Sequence, residues 1–452
     1  MLSVRLMAFF SLLGILVTSR SWSGDMSCPE AALTEPDEHN PDPDAIPVVR
    51  FVSYRAEYDT YCAAIDAFNA QNPDMRVTFA ALPESRVVHF DPSEAGILRS
   101  ARSGLQLGDV VEIQRADLTG FTKDFFLDLR HLIEGDPSFD LADYFPYALE
   151  RMEDGGIYIL PRALYNLRAI SYNKALWQAR GLPEPHLDWT WDNILQAAEQ
   201  LTVATDGPER TYGFAQTVYG LGLLVDLEAA QGGELHLQEA ATVDFHRPVF
   251  CALLERIRDL HQRGVLYLNA DDSFKQTQEQ IRAGNVGMWW GVRLHPRDIV
   301  DPPFPVGLIA YPETSRQYQS IITGFVINRI TRYPNQAWRW LNFLSKQDIP
   351  SMRRWKMMDY PARRSLVAQG GPWEQYGPAA TDVMAIIAER QRINVKLLTD
   401  NGDEPFGVVC DILKQVLVGQ QSPEQAIQAG QARLAEWLAQ RRAMPNPDLP
   451  TP

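Results

Sequence analysis

Between Gly156 and Leu201 the chain sets two short extended segments around a proline and follows them with two helices. Residues 157–160 are apolar and strand-like, and Pro161 stops them. Proline has no ladder donor and fixes its own φ, so this pattern marks a crossing point rather than a core strand. A second extended piece spans 167–172, and a short helix then runs to Arg180 and a Gly-Leu-Pro turn. Thr190 is placed to cap a helix whose Trp191, Ile194, Leu195, Ala198 and Leu201 share one face. A chain of 452 residues exceeds one compact core, so two or three domains are expected.

Upstream, the segments alternate in kind. An apolar strand at 48–52 meets a polar and aromatic loop at 53–58. A helix follows, carrying Tyr61, Ala64, Ile65 and Phe68 on one face, and then strands at 76–80 and 109–113. Strand-loop-helix-strand order implies a parallel sheet covered by helices, an α/β fold. Ligands of such open sheets sit beyond the carboxyl ends of the strands, which puts residues 53–58 and 112–117 on the ligand side. Downstream, helices are expected at 246–263 and 334–343, a strand at 321–328, and a capping box at Ser422-Pro423-Glu424-Gln425 opening the last helix.

Several short elements stand in one order: Gly156, Tyr158, Leu160-Pro161, Tyr172-Asn173-Lys174, Gly181-Leu182-Pro183-Glu184-Pro185 and Trp189-Thr190-Trp191-Asp192. Together they resemble the hinge-to-second-lobe segment of bacterial extracellular solute-binding proteins of carbohydrate ABC importers, the maltose-binding-protein-like family. The resemblance extends over about residues 48–441. It includes Gly108-Asp109-Val110-Val111 and the run Gly284-Asn285-Val286-Gly287-Met288, where Gly287 replaces the usual alanine. It implies two discontinuous α/β lobes joined by a hinge, crossing near Pro161, Trp290 and Asn328. The expected first lobe is 48–160 with 290–328, and the expected second lobe is 161–289 with 329–442. It further implies a small carbohydrate ligand, a membrane permease as partner, a monomer, and neither cofactor nor metal.

The amino terminus reads as an export signal over residues 1–23. Arg5 precedes an apolar run at 6–17 that is too short to span a bilayer, and Ser21-Trp22-Ser23 offers small residues for cleavage before Gly24. A retained anchor and acylation at Cys28 are the alternatives, but Asp25-Met26-Ser27 lacks the leucine of a lipid signal. This predicts a periplasmic or cell-surface protein. Residues 24–47 are a Pro/Asp/Glu-rich linker, and 443–452 form a proline-rich tail. Cys28, Cys62, Cys251 and Cys410 show no metal spacing. A net charge of −15 argues against nucleic acid, which needs basic patches to neutralise phosphate.

The chain has no phosphate-binding glycine loop, no His-Glu-x-x-His and no Gly-x-Ser-x-Gly. Carboxylate pairs such as Asp271-Asp272 and Asp403-Glu404 sit in polar turns, where solvated acids are the plainer reading. What the expected cleft does offer is aromatic platforms and planar polar groups. Sugars present flat C–H faces and many hydroxyls, so they need both kinds. The candidate platforms are Tyr54, Tyr58, Tyr165, Tyr219, Trp289 and Trp290. The candidate hydrogen-bonding groups are Glu112, Gln114, Arg55, Arg115, Arg293 and Arg363. For each one alone, core packing or a surface position is the plainer reading. Either Trp289 or Trp290 must face inward from a strand. The function expected is sugar capture for import without covalent chemistry. A secreted carbohydrate-active enzyme and the binding lobe of a sensor are the alternatives.

Overall fold

The computed structural model describes residues 46–54, 58–82, 104–114, 125–146, 148–149, 155–165, 167, 169–233, 243–268, 274–290, 302–315, 321–347, 359–390 and 404–443. The expected export signal, Cys28, nearly all of the linker and the tail beyond 443 lie outside these residues. In chain order the first elements are β1 (Val48–Tyr54), α1 (Tyr58–Gln71), β2 (Arg76–Leu82), β3 (Val110–Gln114), α2 (Arg130–Gly135) and β4 (Leu160–Tyr165). Next come β5 (Ile170–Asn173), α3 (Lys174–Ala179), α4 (Trp191–Leu201), β6 (Tyr212–Ala215), α5 (Leu221–Ala230), α6 (Pro248–Gln262), β7 (Leu266–Tyr267), α7 (Phe274–Arg282), β8 (Val286–Trp290) and β9 (Val306–Ile309). The chain then forms β10 (Ile321–Ile327), α8 (Pro334–Leu344), β11 (Asp359–Pro361), α9 (Arg364–Val367), α10 (Ala380–Arg390), α11 (Glu404–Leu417) and α12 (Pro423–Ala443).

The strands make two sheets. One has the order β11-β4-β10-β3-β1-β2 and the other β7-β6-β8-β5-β9. In the first, β1 runs parallel to β2 and β3, as the strand-loop-helix-strand pattern predicts. Strand β10 runs antiparallel to both β3 and β4, so the sheet is mixed. The chain returns from the second sheet at the edge where β3 and β4 end, and from there it can only run back against them.

The first sheet is buried on both faces. Phe51 meets Phe325 at 5.9 Å and Trp340 at 5.6 Å between ring centroids, and Trp340 meets Phe68 at 5.2 Å. Helices α1 and α8 therefore share this face. On the other side Val52, Val111, Ile113, Phe126, Tyr158 and Val326 form a separate cluster. In the second sheet, α4 lies against β6 so closely that a Cβ on Gly213 would sit 2.1 Å from the Ala198 carbonyl oxygen. Gly287 of β8 is tight too, with Leu201 Cδ1 at 2.8 Å and the Gly213 carbonyl oxygen at 3.0 Å from an added Cβ. That close approach accounts for glycine at the position where the family pattern has alanine.

Sheet membership differs from the expected division in two places. Pro161 lies inside β4, opposite Gly324 at a register shift between Thr323 and Gly324. A bulge needs no ladder donor at that point, which is how a proline is accommodated within a strand. The crossing therefore falls after Tyr165, not at Pro161. Helix α8, expected in the second lobe, packs on the first sheet because its Trp340 fills the gap over Phe51 and Phe68.

The motif residues of the crossing build local structure. The Asn173 side chain accepts from the Ala175 and Leu176 amides at 3.0 and 3.2 Å and caps α3. The Tyr172 hydroxyl donates to Glu184 Oε2 at 3.1 Å, and the Trp177 indole donates to the Pro183 carbonyl at 2.8 Å, which folds the Gly-Leu-Pro turn back on α3. Thr190 and Asn193 form a reciprocal capping box on α4, and Ser422 and Gln425 do the same for α12.

Candidate functional site

Strand directions bring two edges together. Strands β1, β3 and β4 all end at one edge of the first sheet, at Tyr54, Gln114 and Tyr165. In the second sheet β6, β8 and β9 end at Ala215, Trp290 and Ile309, and Ile170, where β5 begins, pairs with both Trp290 and Ile309. Five peptide steps separate Tyr165 from Ile170, so at the crossing the two edges lie at most about 18 Å apart. The carboxyl ends of strands, here linked by a short connection, are the usual place for a small ligand in open α/β folds.

The first edge carries a buried polar set. Ser53 is fully buried at the end of β1 and donates its hydroxyl to Glu112 Oε2 at 2.5 Å. Arg162 Nε of β4 stands 3.4 Å from Glu112 Oε1, with the Glu112 side chain 6% exposed. A carboxylate held between a hydroxyl and a guanidinium has a fixed orientation and a partly neutralised charge. The buried Thr323 of β10 lies on the same edge, paired with Gln114 and Ala163. Tyr58, at the start of α1, is half-buried with its ring edge-on to Phe79 at 5.2 Å.

On the second edge the two tryptophans part company. Trp289 is 8% exposed and packs in a small cluster with Ala215, Ile281 and Val286. Trp290 is half-buried with its ring 6.2 Å from that of Tyr311, and its indole N–H has no hydrogen-bond partner among the described residues. Trp289 is thus core, and Trp290 is the member of the pair that keeps part of its surface accessible. Tyr219 lies in a 3-10 turn, Val218–Gly220, that leads into α5, and the Lys414 ammonium of α11 stands 5.9 Å from its ring.

Arg363 has a different place from the one expected. It follows β11 and is buried. It donates from Nη1 to Asp143 Oδ2 at 2.8 Å, from Nε to the Tyr144 hydroxyl at 3.1 Å, and from Nη2 to Ser345 Oγ at 3.1 Å. These contacts make it a structural tie within the first lobe. Arg55, Arg115 and Arg293 lie outside the described residues, and only the backbones of Tyr54, Gln114 and Tyr165 are described.

Sequence reasoning missed three groups. Ser53 and Arg162, which fix Glu112, were not singled out, and neither was Gln216, the residue after β6. Gln216 is 2% exposed, and neither atom of its side-chain amide has a hydrogen-bond partner among the described residues. Its one sequence signal was position, a polar residue just past the carboxyl end of a buried strand. The surface depression lined by Ile46, Asp66, Asn69, Pro73, Met75 and Arg76 lies where β1 and β2 begin, at the opposite end of the first sheet.

Comparison with known proteins adds to this geometry. The family described as bacterial extracellular solute-binding protein matches residues 53–348. No curated protein matches the chain. Among solved structures, the sugar-binding protein MalE from Xanthomonas citri is similar at 20% identity and a TM-score of 0.61, covering 87% of this chain and 98% of its own. An ABC substrate-binding protein from Listeria monocytogenes in complex with cycloalternan is similar at 17% identity and a TM-score of 0.57, covering 87% and 100%. UgpB from Mycobacterium tuberculosis in complex with glycerophosphocholine is similar at 16% identity and a TM-score of 0.53, covering 88% and 100%.

Proposed function

We propose, from the premise that this chain belongs to the bacterial extracellular solute-binding proteins, that it captures a sugar or oligosaccharide between its two lobes and delivers it to the permease of an ABC importer. Among the described residues, the first lobe comprises β1–β4, β10 and β11 with α1, α2, α8 and α9, and the second comprises β5–β9 with α3–α7 and α10–α12, following the membership of the two sheets. Ligand contacts contributed by both lobes favour the closed form, which is the form a permease would receive. The signal at 1–23 exports the chain, which then acts as a monomer outside the cytoplasm.

One observation carries the reading. The carboxyl ends of both sheets meet at the short 165–170 connection, one bearing the oriented Glu112 carboxylate and the other the half-buried Trp290 indole. A carboxylate accepting hydroxyl protons and an aromatic face for C–H stacking together fit a sugar. Two of the similar proteins are named for sugars or solved with one. Glu112 is tied to Ser53 and Arg162 from within the first lobe, an arrangement suited to holding a ligand rather than to acid–base chemistry.

The test is thermal shift and titration calorimetry against maltotriose, trehalose, cellobiose and mannitol, with glycerol 3-phosphate, short peptides and spermidine as contrasts. Binding of a neutral sugar with a rise in melting temperature is expected. Binding of only peptide or polyamine would sink the substrate class.

A further inference from the structure

Two costly features adjoin each other on the second edge. The first is the Gln216 side chain, buried with donor and acceptor both unpaired among the described residues. Such groups are rare in native proteins because burial strips their water without replacement. The second begins two residues later. Val218, Tyr219 and Gly220 have φ of 50°, 53° and 79°, three successive residues in the left-handed region. Glycine tolerates that conformation, whereas a β-branched valine there is an outlier. Orphaned polar groups and left-handed backbone persist where function maintains them. A third feature lies on the neighbouring strand. Ala215 pairs with Trp289, so Gln216 and Trp290 each follow directly on the last paired rung of two neighbouring parallel strands. The Trp290 indole N–H is likewise unpaired among the described residues.

Resting on the ligand reading above, we propose that Gln216 is the specificity-determining residue of the second lobe, shut away by the strained 217–220 turn in the ligand-free protein and uncovered when that turn relaxes onto a bound ligand. The chemistry of the orphans names the ligand class. Gln216 and Trp290 supply N–H donors, and the Gln216 carbonyl oxygen needs a donor in return. A hydroxyl gives and accepts, so adjacent hydroxyls of a neutral sugar satisfy the whole set. A carboxylate or phosphate only accepts and would leave the amide oxygen unpaired. An ammonium only donates and would leave the N–H groups unpaired.

The experiment measures melting temperature without ligand and affinity for the tightest-binding sugar of the panel, in wild type, Gln216→Leu and Val218→Gly. Gln216→Leu removes the orphaned amide, so the ligand-free protein is expected to melt about 2 °C or more higher while affinity falls at least tenfold. Val218→Gly relieves the left-handed valine, so it too is expected to raise the ligand-free melting temperature and, by favouring the shut turn, to weaken binding. Unchanged affinity in both variants would overturn the proposal. So would a lower melting temperature for Gln216→Leu, since that means the amide is already satisfied by buried water. A wild type that binds no sugar of the panel ends the proposed function and this inference together. Wild-type binding with unaffected variants ends this inference alone.

Discussion

Arg363 and Asp143 stand 220 residues apart in sequence and 2.8 Å apart in space, Nη1 to Oδ2, with side chains only 4% and 12% exposed. The pair fastens the turn after β11 to the segment before the crossing. The same guanidinium lies over the rings of Tyr144 and Phe139, at 4.5 and 5.5 Å from their centroids. Buried and fully engaged, it acts on stability rather than on ligand.

Arg363→Met is therefore expected to destabilise the protein by about 3–5 kcal/mol, because it removes the charge that balances the Asp143 carboxylate, leaving that group only its Ser365 hydrogen bonds. Urea unfolding followed by circular dichroism reads this directly. Sugar affinity of the folded fraction should stay near wild type. A variant with normal stability and lost affinity would return Arg363 to the cleft.

Asp143 also sets an acid limit. Burial pushes its carboxyl pKa up, but hydrogen bonds from the Ser365 side chain and backbone and from Arg363, with the Arg363 charge, outweigh burial and hold it below the ordinary value. A pKa lower in the folded than in the unfolded chain gives stability that is present above the unfolded value and lost as pH falls through the folded one. The melting-temperature gap between wild type and Asp143→Asn should thus be constant from about pH 7 to 5 and shrink below about pH 4. A gap that widens on acidification would contradict the assignment.

Glu112→Ala is expected to weaken sugar binding at least tenfold, about 1.4 kcal/mol, and to lower the melting temperature, since Arg162 loses its carboxylate partner. Ser53→Ala removes only one hydrogen bond to Glu112 and should cost about 1 kcal/mol of stability. Calorimetry on the two variants separates ligand contact from scaffold. Wild-type affinity in Glu112→Ala would remove the carboxylate from the site.

Gly213→Ala should destabilise more than Gly287→Ala. At Gly213 the new methyl meets backbone, the Ala198 carbonyl oxygen at 2.1 Å, whereas at Gly287 the nearest atom is the end of the Leu201 side chain at 2.8 Å. Overpacking against a flexible side chain costs about 1–3 kcal/mol, and against rigid backbone it costs more. Thermal melts of both variants check the order, and a reversal would mean that α4 does not lie on β6 as described.

Elements with a strong period were legible in the sequence. The stripes of Tyr61, Ile65 and Phe68, of Phe250, Leu253 and Leu254, and of Trp340 and Leu341 each became a buried helix face. So were the cap at Thr190 and the capping box at Ser422, which are local and self-contained. Pro161 misled because the bulge that shelters it depends on Gly324, which is more than 160 residues away. Arg363 misled for the same reason, since its partners come from two distant stretches of chain, Asp143-Tyr144 and Ser345. Gln216 offered only its position past β6, because a single polar residue has no period, and its lack of partners among the described residues is a property of packing. Sequence shows faces and caps well; it shows pairing between distant segments poorly.

The position of β10 between β3 and β4 bears on the timing of folding. The strand that joins the two halves of the first sheet begins only at Ile321, so a growing chain holds β1 to β4 as two unconnected pieces until most of it has been made. Long-range pairings of this kind close slowly. Completion of the first sheet therefore waits on the arrival of β10, and until then the ladder groups of β3 and β4 on that side have no strand to pair with.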